Sequence, residues 1–118
     1  MVKIAIPGAA GRMGQELVKT CQDTAGVETG AVSEYAESSA IGRDSGELAG
    51  VDANGVFISD SLDPEGFDVL VDFTRPQPAM QHLALCLKEN KAMVIGTTGF
   101  SAEEKDSIAA AAKQIPIV

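Results

Sequence analysis

Three glycines near the start of the chain, Gly8, Gly11 and Gly14, have the spacing G-x-x-G-x-x-G and follow the short apolar run Ile4–Ile6. Helical periodicity follows them, so the sequence predicts a strand, a tight turn and a helix. Such a unit binds the pyrophosphate of a dinucleotide, because glycine permits positive φ and close backbone approach while the helix start presents free N–H groups. Ala10 stands where the commoner motif has its second glycine. A purely structural glycine turn is therefore the alternative.

An acidic residue follows the second predicted strand. Glu34 lies 20 residues after Gly14, where a carboxylate accepts hydrogen bonds from the adenosine ribose hydroxyls; a solvated acid at the start of a loop is the alternative. The next residue is Tyr35 rather than a cation, so a 2′-phosphate would meet repulsion without compensation. The sequence thus favours NADH or dual use of NADH and NADPH, unless Arg43 reaches the site.

Other polar residues near the predicted strand ends have two interpretations each. Arg12 either neutralises cofactor phosphate or is a solvated residue of the first helical turn. Arg75 either lies near the cofactor or is a surface charge at a helix start. Thr97 and Thr98 either meet a nicotinamide carboxamide or cap a turn. His82, the single histidine, is predicted to occupy a solvated helix position without a catalytic role.

The composition excludes several classes of protein. The chain has 118 residues, 45% of them hydrophobic, which suits one domain with an aliphatic core. A net charge of −8 argues against a nucleic-acid or anionic membrane surface. Cys21 and Cys86 have no metal-binding spacing and are expected to be reduced core thiols. With neither a signal peptide nor a metal-ligand cluster, the chain is expected to be cytoplasmic and free of metal.

Apolar runs alternate with helical patterns along the whole chain, which is typical of a doubly wound parallel sheet, an α/β fold of the Rossmann type. The predicted helices include an apolar face containing Met13, another containing Ala84, and a third containing Ala112 after a capping box at Ser101 and Glu104. Residues 34–55 are expected to form a long surface loop. Strands are predicted at 3–6, 27–33, 67–73, 91–95 and 115–118, with a short strand or edge piece at 56–58, and helices are predicted at 10–24, from 76 and from 101.

Four motifs together resemble the family of 4-hydroxy-tetrahydrodipicolinate reductase, also called dihydrodipicolinate reductase. They are IPGAAGRMG at 6–14, GRDSGELAG at 42–50, VDFTRP at 71–76 and VIGTTGF at 94–100. The family reduces a cyclic imine dicarboxylate with NADH or NADPH in the diaminopimelate route to lysine. The resemblance implies an N-terminal dinucleotide-binding domain over residues 1–118 and a C-terminal domain that binds substrate and builds a homotetramer.

The resemblance also implies roles for particular residues. The pyrophosphate would lie in the turn, Glu34 would bind the adenosine ribose, and the third and fourth strand ends would line the cleft and meet the nicotinamide. The family often has Arg at the position of Tyr35, where it grips a 2′-phosphate. The implied cofactor-binding residues are Gly8, Ala9, Ala10, Gly11, Arg12, Met13, Glu34, Tyr35, Phe73, Thr74, Arg75, Gly96, Thr97 and Thr98.

In the family, the proton donor and substrate-binding residues lie in segments beyond the position of Val118. The resemblance therefore implies that these 118 residues bind cofactor and contain no catalytic residue, and that they have no turnover alone. A stand-alone dinucleotide-sensing module without catalysis is the alternative function. Another Rossmann reductase, such as a semialdehyde or homoserine dehydrogenase, is a third hypothesis, although the GTTGF motif argues against it.

Overall fold

Four parallel strands form the centre of the molecule, in a computed structural model that describes all of residues 1–118. The strands are β1 (Val2–Pro7), β2 (Val27–Ser33), β3 (Val69–Asp72) and β4 (Ala92–Ile95). They pair in the order β2-β1-β3-β4. Their short apolar runs are covered by helices, as a parallel sheet requires. The doubly wound sheet predicted from the sequence is confirmed.

Helices cover both faces of the sheet. One face carries α1 (Arg12–Asp23), and the other carries α3 (Pro76–Glu89) and α4 (Ala102–Ala111). From β1 the chain moves outward to β2 on one side and then to β3 and β4 on the other. This reversal creates a switch point between β1 and β3. Ligands of doubly wound sheets bind beyond the carboxyl ends of the strands at such a point.

Each face of the sheet has its own apolar cluster. Successive residues of β1 point to opposite faces, so Ala5 belongs to the cluster with Leu83 and Ile6 to the cluster with Val18. Cys21 and Cys86 are buried and free, as predicted. Burial raises the pKa of both thiols, that of Cys86 to about 11 with a further contribution from the Asp72 carboxylate.

The segment 34–55 is more ordered than the predicted surface loop. It contains a one-turn helix, α2 (Ser45–Leu48), and the buried residues Ala40 and Ala49. The carboxylate of Asp44 organises it by accepting backbone N–H groups from Gly46, Glu47, Asn54 and Gly55 at 2.8–3.2 Å. Burial opposes the charged form, but these hydrogen bonds prevail and lower the pKa of Asp44. The sequence predicted a surface loop here because the segment contains few large apolar residues.

The helical faces differ in detail from the predicted ones. In α1 the buried residues are Gly14, Val18 and Cys21, and Met13 is 43% exposed. Ala84 of α3 and Ala112 after α4 are exposed. A small or flexible apolar residue beside the buried stripe fits the helical pattern equally well, so periodicity alone does not decide which one faces the sheet.

The segments 56–58 and 115–118 do not form regular strands, since each makes a single isolated bridge, through Phe57 and Ile117. The predicted capping box is confirmed. Ser101 and Glu104 form the capping box, with side-chain to backbone distances of 2.7 and 3.1 Å. The chain end extends along β4, where the N–H of Ile95 donates to the carbonyl of Val118 at 3.0 Å. No helix has the length and apolar character needed to cross a membrane.

Candidate functional site

The turn between β1 and α1 has the geometry of an anion cradle. Gly8 has φ +70°, which a residue with a side chain rarely adopts. A Cβ on Gly14 would overlap the carbonyl oxygen of Gly8 and lie 2.7 Å from the Cα of Ala9. The helix therefore packs directly against the turn. Gly11 is the N-cap and supplies no side-chain acceptor, so the first N–H groups of α1 are available to a ligand.

Glu34 lies directly after β2 and faces this turn. Its Oε2 accepts a hydrogen bond from the backbone N–H of Ala10 at 2.8 Å. The contact fixes the carboxylate beside the glycine turn, and its remaining lone pairs are free to accept hydroxyl groups. Tyr35 follows with 67% of its surface exposed.

Phe73, Thr74 and Arg75 extend from the end of β3 on the opposite side of the switch point. The hydroxyl of Thr74 donates to the carboxylate of Asp72 at 2.6 Å. The two ion pairs of the chain join Lys19 to Glu16 and His82 to Asp72. Arg12 and Arg75 therefore have no carboxylate partner, and their charges are available to a phosphate.

A cleft of about 570 Å³ joins these segments and is called the switch-point cleft below. Its volume lies within the range of small-molecule sites. It is lined by most of the sequence-predicted residues, namely Gly8, Gly11, Arg12, Met13, Glu34, Tyr35, Phe73, Thr74 and Arg75. It is also lined by residues that the sequence did not single out for binding, namely Pro7, Leu17, Ser33, Asp60, Pro78, Gln81 and His82, and by Gly14.

Five predicted residues do not line the switch-point cleft. Ala9 is buried within the glycine turn, and Ala10 lies beside it with its N–H on Glu34. Gly96 lies against the ring of Phe73, because a Cβ there would overlap three ring atoms. Thr97 is buried and donates to Asp72 at 3.0 Å, while Thr98 is exposed. Their contact with a cofactor stays a prediction.

Asp72 and His82 were not predicted as site residues. Asp72 ends β3 and is fully buried, and its Oδ2 lies 2.5 Å from Nδ1 of His82. Burial opposes ionisation, but hydrogen bonds from His82 and Thr74 outweigh it and lower the pKa of Asp72. His82 is 19% exposed at its side chain, so the prediction of a solvated histidine is wrong. The sequence signal that could have identified Asp72 is its position as the one acidic residue at the end of an otherwise apolar strand.

The arrangement suits a dinucleotide better than a metal. Glycine backbone, a helix start and unpaired arginines provide donors for phosphates, and Glu34 provides acceptors for ribose hydroxyls. No group of three His, Cys, Asp or Glu side chains is placed to hold a metal ion.

Solved structures of several dehydrogenases and reductases have the same fold. A dihydrodipicolinate reductase from Paenisporosarcina sp. TG-14, solved with dipicolinate bound, is 30% identical with a TM-score of 0.69, and the alignment covers 95% of this chain and 43% of that one. An amine dehydrogenase from Mycobacterium smegmatis is 21% identical with a TM-score of 0.76, covering 95% and 36%. Aspartate semialdehyde dehydrogenase from Candida albicans, solved with NADP, is 16% identical with a TM-score of 0.63, covering 83% and 30%. The last two show the fold alone.

This chain thus spans less than half the length of the reductase from Paenisporosarcina. A family model described as the N-terminus of dihydrodipicolinate reductase matches residues 2–118. The match includes the glycine turn, Glu34 and both later strand ends. The chain therefore belongs to the dihydrodipicolinate reductase family, within which it corresponds to the N-terminal domain.

Proposed function

We propose that this chain is the NAD(P)H-binding domain of a reductase that acts on a cyclic imine dicarboxylate. One observation carries the proposal: an uncapped helix start in a glycine turn lies beside a carboxylate, Glu34, and both line a cleft at the switch point of the sheet. This is the donor and acceptor set that a pyrophosphate and an adjacent ribose require.

In the proposed complex the pyrophosphate lies against the N–H groups of residues 12–14, with Arg12 and Arg75 neutralising its charge. Glu34 accepts the adenosine ribose hydroxyls, and the exposed ring of Tyr35 lies beside the adenosine. Phe73 and Thr74 border the half of the cleft that takes the nicotinamide nucleotide. Gly96 lies against the ring of Phe73, so its contact with nicotinamide requires this ring to move. Contacts of Thr97 and Thr98 with the nicotinamide are part of the same proposal.

NADH is the favoured cofactor, with dual use as the other form of the proposal. The carboxylate of Glu34 would repel a 2′-phosphate, and the next side chain is the uncharged ring of Tyr35. The family resemblance places an arginine there in many relatives. Arg43 is the single cation within residues 34–55, and it is the residue of this segment that could pair with a 2′-phosphate.

We propose the activity of the whole protein from its family. When bound, the nicotinamide supplies a hydride to the imine carbon, and this domain binds and orients the cofactor. The reductase from Paenisporosarcina was solved with dipicolinate, a cyclic dicarboxylate, which supports this substrate class. We propose that a C-terminal domain provides the substrate site, the proton donor and the contacts of a homotetramer, and that the protein is cytoplasmic, consistent with two free thiols.

Calorimetric titration of the chain with NADH and with NADPH tests the proposal. We expect one site per chain and a Kd for NADH equal to or lower than that for NADPH. Absence of binding by both nucleotides would refute it, and a strong preference for NADPH would refute the assignment of Glu34 and Tyr35. A steady-state assay of the chain alone with NADH and the cyclic imine should detect no oxidation of NADH.

A further inference from the structure

A buried carboxylate beneath the cleft connects three separate segments of the chain. Oδ1 of Asp72 accepts the backbone N–H of Thr74 at 2.8 Å, the hydroxyl of Thr74 at 2.6 Å and the hydroxyl of Thr97 at 3.0 Å. Oδ2 has one partner, Nδ1 of His82. The network thus connects the ends of β3 and β4 to the second turn of α3.

A carboxylate is rarely fully buried in a protein unless it is paired. Residue 72 is fully buried at the end of an apolar strand, where an apolar side chain would extend the core. A buried carboxylate is costly unless every oxygen is hydrogen-bonded. Buried polar networks of this kind commonly fix the orientation of functional groups.

Thr74 and His82 are the two members of the network that also line the switch-point cleft, and the Thr74 hydroxyl already donates its proton to Asp72. Nδ1 of His82 is engaged by Asp72, and its Nε2 forms no hydrogen bond within the chain. A carboxylate on one ring nitrogen fixes the tautomer and the ring orientation. The neutral ring then has an acceptor at Nε2, and the protonated ring has a donor there.

The sheet order decides which part of a dinucleotide would meet this nitrogen. Glu34 follows β2 on one side of β1, whereas Asp72 and α3 follow β3 on the other side. With the adenosine ribose at Glu34 and the pyrophosphate at the start of α1, the second nucleotide must extend toward β3. A ribose hydroxyl there both donates and accepts, so it pairs with Nε2 in either protonation state.

We infer that His82 is a binding residue of the cleft, whose Nε2 hydrogen-bonds a ribose hydroxyl of the nicotinamide nucleotide, and that Asp72 positions it. The inference rests on the proposed function, since it concerns the same cofactor. It adds a residue that the sequence had assigned to the solvated surface.

Two substitutions separate the functions of the two ring nitrogens. His82→Asn retains an amide donor at the position of Nδ1 and removes the group at Nε2, whereas His82→Gln places an amide near the position of Nε2. Lys88→Gln, an exposed change on the same helix, is the matched control. Dissociation constants are measured for NADH, ADP-ribose and 5′-AMP, and thermal unfolding is followed for each variant.

We expect His82→Asn to raise the Kd for NADH and for ADP-ribose about 5- to 10-fold, as the loss of one hydrogen bond does. Its affinity for 5′-AMP and its Tm should match those of Lys88→Gln. His82→Gln should bind NADH more tightly than His82→Asn, whatever the stability of either variant.

Three results would overturn the inference. The first is an unchanged affinity of His82→Asn for NADH. The second is an equal loss of affinity for NADH and 5′-AMP, together with a lower Tm. The third is a loss of affinity for NADH with an unchanged affinity for ADP-ribose. Failure of the unsubstituted chain to bind NADH would instead refute the proposed function, so the two ideas fail in distinguishable ways.

Discussion

Replacement of Glu34 by glutamine is the most direct perturbation of the proposed adenosine end of the cleft. Oε2 of Glu34 accepts the N–H of Ala10 at 2.8 Å. Glutamine has the same length and keeps a carbonyl oxygen for that N–H, so the glycine turn retains its contact. The change therefore removes the negative charge without removing the acceptor.

The two cofactors should respond in opposite directions. A hydrogen bond to a charged group contributes about 1.5–3 kcal/mol and one to a neutral group about 0.5–1.5 kcal/mol. The loss of about 1–1.5 kcal/mol of binding free energy raises the Kd for NADH roughly 5- to 13-fold. For NADPH, removing the repulsion between two charges about 4 Å apart contributes at least about 1 kcal/mol, which strengthens binding roughly fivefold or more. The ratio of Kd for NADPH to Kd for NADH should fall at least about 25-fold.

Isothermal titration of both nucleotides into Glu34→Gln measures this ratio. Glu37→Gln, a nearby exposed acid, has the same change in net charge and should leave the ratio within about twofold of the original value. An unchanged ratio in Glu34→Gln would refute the placement of the adenosine ribose at Glu34. An equal change in Glu37→Gln would show that net charge, rather than a contact, is responsible.

Other predictions concern the turn, the pH dependence and the thiols. Gly14→Ala should lower the free energy of unfolding by about 1–3 kcal/mol in urea titrations, because its Cβ overlaps the backbone of the turn. A Cβ on Gly11 would lie 3.3 Å from one carbonyl oxygen, so Gly11→Ala should lower the free energy of unfolding less than Gly14→Ala does and should raise the Kd for NADH. Equal losses of unfolding free energy in the two variants would contradict this. The pKa values of Asp44 and Asp72 are lowered, so the folded state binds fewer protons than the unfolded state. Stability should therefore be fully present above about pH 4–5 and fall as the pH drops through the folded pKa values, and an acid-insensitive urea midpoint between pH 5 and pH 3 would refute it. Cys86, with its pKa raised to about 11, should resist iodoacetamide at pH 8 in the native protein and react in urea, whereas rapid native alkylation would contradict its burial.

Local sequence patterns were enough to predict the architecture and most of the residues that line the switch-point cleft. The apolar run before Asp72, the glycines at 8, 11 and 14, and the capping box at Ser101 each depend on neighbouring residues. Alternation of strands and helices then fixes where strand ends converge. Most of the predicted cofactor-binding residues line the switch-point cleft for that reason.

Features that depend on tertiary contacts could not be predicted in the same way. The pairing of Asp72 with His82 joins a strand end to the second turn of the next helix, and nothing in the helical pattern indicates it. The order of the 34–55 segment depends on one carboxylate, Asp44, whose partners lie up to 11 residues away. The ring of Phe73 covers Gly96, which a linear motif does not reveal.

The central claim is that the switch-point cleft binds the dinucleotide. Amide ¹H–¹⁵N spectra of the chain, recorded during titration with NADH, test it most directly. We predict that the largest shifts occur at the amides of residues 11–14, 34–35 and 73–75, while those of α4 stay unchanged. Shifts confined to α4 or to any surface outside the cleft, or no shifts at saturating NADH, would contradict the claim.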